Sequence, residues 1–288
     1  MAESAALSVF APAKINLTLH VVGQRADGYH FLDSLVAFAG VGDWISVQRA
    51  AAISLEVTGP FAKDLSGENL VTRAAHYLAA ATGRNEGAHI ILEKNLPIAS
   101  GIGGGSADAA AALMALSQLW DENLAQLADA DVAANLGADV PVCLRRTPTF
   151  MRGIGEKLSP APALPPAWLV LVNPLKPLVT RTVFAALKGG RSEPLPEARF
   201  AGLASAADLA RCLADARNDL TAPACELMPE VAGILHALEG TPGCLAAQMS
   251  GSGPTCFGLY TDSAAAGAGA EALKRANPGW WTAAAPLM

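Results

Sequence analysis

The chain has 288 residues, enough for one large or two ordinary domains, and a chain of this length buries roughly 75% of its unfolded surface. Its hydrophobic share of 52% and mean hydropathy of +0.31 rest largely on alanine, and no run of about 18 apolar residues free of charge or helix breaker occurs, so a spanning helix and a membrane partner are not expected. A formal net charge of −6 and a pI near 5.4 argue against a nucleic-acid partner, which needs a basic face, yet leave room for a small anion held by local amides and a few lysines.

The first residues, Met1, Ala2, Glu3 and Ser4, carry an acid and no basic n-region, so no secretory leader is expected there. Residues 8–12, 15–22, 32–38, 44–49 and 53–57 read as strands, with Asp27 and Gly28, and Gly42 and Asp43, as turn chemistry between them. Lys14 and Asn16 stand two apart in an otherwise apolar stretch, so a strand projects both from one face. A lysine buried there needs an anionic partner; the same pattern fits an edge-strand lysine whose ammonium reaches solvent.

Residues 69–81 then read as a helix with Leu70, Ala74, Tyr77 and Leu78 on one side, and 89–94 as a strand. From Pro97 the chain enters a loop in which Gly101, Gly103, Gly104 and Gly105 fall within five residues, followed by Ser106. Behind it Ala109, Ala112, Leu113, Leu116, Leu119 and Trp120 trace the apolar stripe of a core-facing helix, with Ser106 or Asp108 as its N-cap. Glycines permit positive φ and close approach of backbone N–H groups, and the helix adds unpaired amides and the positive end of its dipole. Strand, glycine loop and helix in that order describe a cradle for phosphate, although many glycine turns before helices bind nothing. Two familiar cradles are excluded by the residues. No Gly-Lys pair exists for a P-loop, and Ser106 stands where the third glycine of a dinucleotide fingerprint belongs.

Asp139 lies in an apolar run between Gly137 and Pro141, which suggests a tight turn withdrawn from water; it also suits a helix cap. In phosphoryl transfer an aspartate accepts the hydroxyl proton while a lysine neutralises phosphate charge, roles that Asp139 and Lys14 can fill. The proline-dense segment 148–166 marks a domain junction, giving domains 1–147 and 148–288. Beyond it come a strand at 168–173, a Gly/Arg/Pro-rich loop at 188–196, helices near 206–216 and 229–238, a glycine turn at 240–243, and a second glycine and serine turn, Gln248 to Thr255, entering a strand at 255–260. A helix at 264–276 precedes an Ala/Pro/Trp tail. This is an α+β arrangement with no internal repeat, not a repeating βα sheet. Five cysteines (143, 212, 225, 244 and 256) are scattered and unpaired in pattern, as expected of buried thiols in a reducing cytoplasm, and the five histidines show no metal-ligand spacing.

Three of these stretches, Ala11 to Leu17, Pro97 to Ala110 and Met249 to Pro254, resemble in order and spacing the three motifs of the GHMP kinase superfamily, which includes galactokinase and the homoserine, mevalonate and phosphomevalonate kinases. Within it, Arg25 to His30, the run from Leu136 to Val142 and Gly153 to Glu156 bring the chain nearest to a branch acting on a cytidine-diphosphate sugar alcohol of the non-mevalonate isoprenoid route. The resemblance covers about residues 8–260. It implies a two-domain α+β GHMP-kinase-like fold with the active site in the cleft between domains, and ATP-dependent phosphorylation of the 2-hydroxyl of the methylerythritol portion. It implies Lys14 and Asp139 as the catalytic pair, with Pro97, Gly101, Gly103, Gly104, Gly105 and Ser106 on the ATP phosphates. Asn69 and Lys94 would lie near the adenosine, Tyr29 and His30 would hold the cytosine, and Asn16, Asp139 and Thr180 would border the methylerythritol, with Thr182 the alternative to Thr180. Magnesium is expected with ATP, its ligands unassigned, in a cytoplasmic monomer or homodimer. Two departures stand out. Ile102 replaces the usual leucine, and Ala107 replaces the second of paired serines, leaving one hydroxyl fewer for phosphate. A kinase for a different small alcohol, an ATP-dependent decarboxylase of related fold and a non-catalytic binding module are the competing expectations.

Overall fold

The computed structural model describes residues 7–65, 67–188 and 192–288. Eleven strands and nine α-helices are found among them, in the order β1 (Leu7–Asn16), β2 (His20–Gln24), β3 (His30–Ala50), β4 (Ser54–Thr58), α1 (Leu70–Thr82), β5 (Gly87–Glu93), α2 (Gly104–Trp120), α3 (Asp129–Leu136), α4 (Val140–Arg145), β6 (Thr149–Gly153), β7 (Lys157–Pro160), β8 (Trp168–Asn173), α5 (Thr180–Ala185), α6 (Ala206–Ala214), α7 (Thr221–Leu227), α8 (Glu230–Glu239), β9 (Ala246–Met249), β10 (Cys256–Tyr260), α9 (Ser263–Ala276) and β11 (Trp281–Pro286). The chain divides into two compact units. One comprises residues 1–13, 42–98 and 103–145, and the other 14–41, 99–102 and 146–288.

In the first unit β4 runs parallel to β5, which pairs antiparallel with residues 44–50 of β3. Helix α1 ends at Gly83, whose φ of 68° gives the left-handed cap that glycine adopts without strain. Its face of Val71, Ala74, Ala75 and Leu78 is buried, as are Leu113, Leu116 and Trp120 of α2. Alanine at positions 109–112 and 115 keeps α2 slim and strongly helical.

In the second unit β2 and β6 flank residues 30–36 of β3, both antiparallel, and β7 follows β6. A separate antiparallel sheet has the order β11-β8-β10-β9. Its core gathers Val170, Val172, Cys256 and Tyr260 from the sheet, Val231, Ile234 and Leu238 from α8, and Ala266, Ala270 and Leu273 from α9.

Several local expectations are corrected. Gly42 and Asp43 make no turn: β3 continues through them, Gly42 lies too close to the Ala11 backbone for any Cβ, and Asp43 is fully buried. Helix α2 begins five residues earlier than its apolar stripe, at Gly104, and its N-cap is Gly103 with a φ of 63° rather than Ser106 or Asp108. A feature the sequence did not announce is the antiparallel pair β6–β7 within the proline-dense segment, with Pro160 at the terminus of β7, where a missing N–H costs least. The alanine-rich tail is β11, paired along β8. Of the loop expected at 188–196, residues 189–191 lie outside the described residues.

Candidate active site

The glycine loop passes from one unit into the other, residues 99–102 belonging to the second and 103 onward to the first. Ala99, Gly101 and Gly103 all have positive φ, at 50°, 75° and 63°, so the chain winds tightly before α2 opens. No side chain caps α2, and the first-turn amides of a helix have no partner within it. Gly104 is buried, Gly105 exposed and Ser106 half-buried. Pro97 is buried ahead of the loop.

Beneath this helix start lies the most heavily charged interior of the first unit. The Lys94 ammonium donates to Asp43 Oδ2 at 2.5 Å and Asp108 Oδ2 at 2.7 Å, with all three side chains at most 4% exposed. The main chain of Lys94 is occupied too, its N–H donating to Thr58 and its carbonyl accepting from Phe61. Asp43 Oδ1 accepts from the Asn95 and Leu96 amides at 2.5 and 2.8 Å. Burial alone would lower the Lys94 pKa, but the two carboxylates outweigh it and hold the ammonium above its ordinary value. Burial pushes the Asp108 carboxyl up to about 8, against the opposing pull of Lys94 and with the Asp43 charge adding to it. Asn69 is the N-cap of α1, its Oδ1 accepting from the Val71 amide at 2.9 Å. Asp139 precedes α4 and its carbonyl accepts from the Cys143 amide at 3.2 Å; its side chain is half-buried, less withdrawn than its apolar flanks suggest.

In the second unit Lys14 is 4% exposed, which excludes an edge-strand lysine reaching solvent. Its backbone N–H donates to the Ile102 carbonyl at 2.9 Å, fixing β1 against the first half of the glycine loop. Asn16 is 1% exposed. Its amide nitrogen Nδ2 donates to Ser34 Oγ at 2.8 Å and its backbone N–H to Ser250 Oγ at 3.1 Å, while Oδ1 has no hydrogen-bond partner among the described residues. Ser250 in turn donates to the Gly101 carbonyl at 3.2 Å. The turn after Gln248, weak on its own as a motif, is thus tied to both the lysine strand and the glycine loop. Asn218 supports it from behind, donating to the carbonyls of Met249 and Gly251. Thr180 shares a 2.8 Å hydrogen bond with Ser252.

Tyr29 is 61% exposed, at the end of the turn that Asp27 and Gly28 form as expected. The Arg25 guanidinium lies 5.4 Å from its ring centroid and is paired with Asp27, whose hydrogen bond holds the arginine above its ordinary pKa. The half-buried His30 ring stacks on Phe184 with centroids 5.1 Å apart and an interplanar angle of 23°. Sequence reasoning missed Phe184, Asp43 and the role of Asp108. A charged residue inside a β-type run was a usable signal for Asp43; nothing local marks Phe184.

Known proteins are similar to this chain in sequence and fold. Residues 69–146 match the GHMP kinases N terminal domain and residues 201–279 the GHMP kinases C terminal domain. A protein of Paramagnetospirillum magneticum named 4-diphosphocytidyl-2-C-methyl-D-erythritol kinase is 55% identical, over 98% of this chain and 98% of its own. One of the same name from Cereibacter sphaeroides is 56% identical over 94% and 96%. A crystal structure of 4-(cytidine 5'-diphospho)-2C-methyl-D-erythritol kinase superposes with a TM-score of 0.80 at 36% identity, covering 98% of this chain and 99% of that one. Homoserine kinase from Cytophaga hutchinsonii shares the fold, with a TM-score of 0.71 at 18% identity.

Proposed function

The chain belongs to the GHMP kinase family and is a kinase of small molecules; from that premise we propose that it transfers the γ-phosphoryl of ATP to the 2-hydroxyl of 4-diphosphocytidyl-2-C-methyl-D-erythritol. The relatives' shared name supports this acceptor. The observation that carries the nucleotide half is the glycine loop, whose positive φ angles feed a helix of 17 residues that no side chain of the described residues caps. Amides of Gly103 to Ser106 and the helix dipole bind the phosphates, with Gly101 and Pro97 shaping the approach. Asn69 and Lys94 border the nucleoside, Lys94 by its position rather than by its engaged ammonium.

Asp139 accepts the proton of the 2-hydroxyl as the oxygen attacks the γ-phosphorus, the bond to the β–γ bridging oxygen breaks, and ADP leaves. Lys14 stabilises the charge spread over the moving phosphoryl. Asn16 has an orphaned acceptor, Oδ1, that suits a hydroxyl donor, and Thr180, bridged to Ser252, borders the same methylerythritol portion. Tyr29 stacks on the cytosine and His30 meets its polar edge. Among the described residues no three carboxylate, histidine or cysteine side chains converge as a metal site. Magnesium, expected with ATP, would neutralise charge on its phosphates.

Release of ADP is to be measured with the cytidine-diphosphate alcohol, homoserine and mevalonate in parallel. The expected result is a kcat/KM at least about 100-fold higher for the cytidine compound, the discrimination that a site built to hydrogen-bond its substrate can supply. Faster turnover of either nucleobase-free alcohol overturns the acceptor assignment.

A further inference from the structure

The ion cluster under α2 does not balance. One ammonium, Lys94 Nζ, serves two carboxylates in an interior where Lys94, Asp43 and Asp108 are each 2% exposed or less. Asp43 is satisfied by Lys94 and two backbone amides, whereas Asp108 Oδ1 has no hydrogen-bond partner among the described residues. A lone negative charge in such surroundings is expensive unless a proton removes it. The cluster also lies directly against the proposed phosphate cradle. Lys94 Nζ is 3.1 Å from the position a Cβ on Gly104 would take, and Asp108 follows Gly104 by one helical turn.

We propose that Asp108 is a positioning residue of the glycine loop in its neutral, protonated form, joining Lys94 to Asp43, and that holding a nucleotide's phosphates on the loop is linked to retention of this proton. The inference rests on reading the loop as a phosphate site. Burial pushes the Asp108 carboxyl up to about 8, within the range where the linkage is measurable. Asp43 from β3 and Lys94 just beyond β5 are the charged groups acting on it. Of the helices packed on α2, α1 carries Arg73 and His76 on its exposed side, and α4 carries Arg145 paired with exposed Asp129. A polyphosphate arriving at the helix start makes an ionised Asp108 still less favourable, so binding raises its hold on the proton.

The test is calorimetric titration of the full chain with ADP at fixed magnesium between about pH 7.5 and 9.5, where the phosphates of ADP are already ionised. The Kd of the wild-type protein is expected to rise with pH beyond about 8, approaching about tenfold per unit. Its binding heat at about pH 8.5 should differ between buffers of different ionisation enthalpy, reporting proton uptake. Asp108→Asn keeps an amide between Lys94 and Asp43 with no proton to lose, and its Kd should drift by less than about twofold. The same pH slope in wild type and Asp108→Asn overturns the linkage, as do wild-type heats that ignore the buffer. The second criterion needs no variant, so it decides even if Asp108→Asn does not fold. In either of those outcomes ADP still binds and the nucleotide reading stands. Absence of ADP binding at about pH 7.5 overturns the nucleotide reading and the linkage with it.

Discussion

Lys14 and Asn16 show how much chemistry two positions on one strand face can hold. Lys14 is buried at 4% exposure and Asn16 at 1%, and the two positions before them on that face are the apolar Phe10 and Pro12. Asp139, half-buried before α4, is the proposed proton acceptor, so Asp139→Asn should lower kcat by at least about 100-fold with its melting temperature retained. Near-normal turnover would remove Asp139 from the chemistry. Lys14→Ala should also depress kcat; a change confined to KM for ATP would make it a binding residue instead. Arg25 offers a milder test. Its guanidinium lies over one face of the exposed Tyr29 ring, so the proposed cytosine stack would form on the other. Arg25→Ala should raise KM for the cytidine compound about twofold to fivefold, the worth of an exposed cation–π contact, with KM for ATP unchanged.

Glycines of the loop differ in what they do for the element, and paired substitutions separate them. Gly101 has a φ of 75°, and a Cβ there would stand 2.5 Å from the Gly253 carbonyl oxygen and 2.8 Å from that of Ser250. Gly101→Ala should cost about 1–3 kcal/mol of stability, read as a lower melting temperature. Gly105 sits in the first turn of α2, and a Cβ added there would meet no atom within 4 Å. Gly105→Ala should therefore raise stability by about 0.5–1 kcal/mol yet raise KM for ATP, because the added methyl occupies the approach to the amides. The strand–glycine loop–helix order and the strands at 168–173 and 255–260 were legible because their signals are local: periodicity, glycine spacing and β-branched runs. Gly42 and Asp43 misled for the opposite reason. Their dipeptide is turn chemistry, but the partner that holds Asp43 in a strand is an ammonium 51 positions away. Helix α2 starts early because backbone geometry at Gly103 supplies its cap, and Asp108 is drawn inward by Lys94 instead. The His30–Phe184 stack joins residues far apart along the chain and leaves no trace in either local sequence.

At the scale of the whole molecule, buried carboxylates set how stability follows pH. The unfolded chain releases the Asp108 proton near the ordinary value of 3.8, whereas the folded protein keeps it to about 8. Stability from this group is thus full below about pH 4 and declines as pH rises toward and through about 8. Asp108→Asn lacks that decline, so its melting temperature relative to wild type should be higher at pH 8 than at pH 5; an equal difference at both would count against a retained proton. Asp219 works in the other direction. Burial would raise its pKa, but hydrogen bonds from Ser192, the Val21 amide and Arg217 hold it below the ordinary value. Its contribution is present above about pH 4 and disappears as pH falls through its depressed folded value.

The 21-residue strand β3 gives residues 30–41 to one unit and 42–50 to the other. During vectorial synthesis residues 14–41 leave the ribosome early, yet β6, the strand that pairs with Leu32 to Val36, is made long afterwards, and Asp219, which fastens Val21, later still. The unit ending at residue 145 has every one of its segments once that position has emerged, whereas the other has a segment running on to residue 288. Until that segment is made, Leu35, Val36, Leu19 and Val21 are exposed without their native cover. Nascent chains stalled between β6 and β10 are therefore the form of this protein most in need of a chaperone.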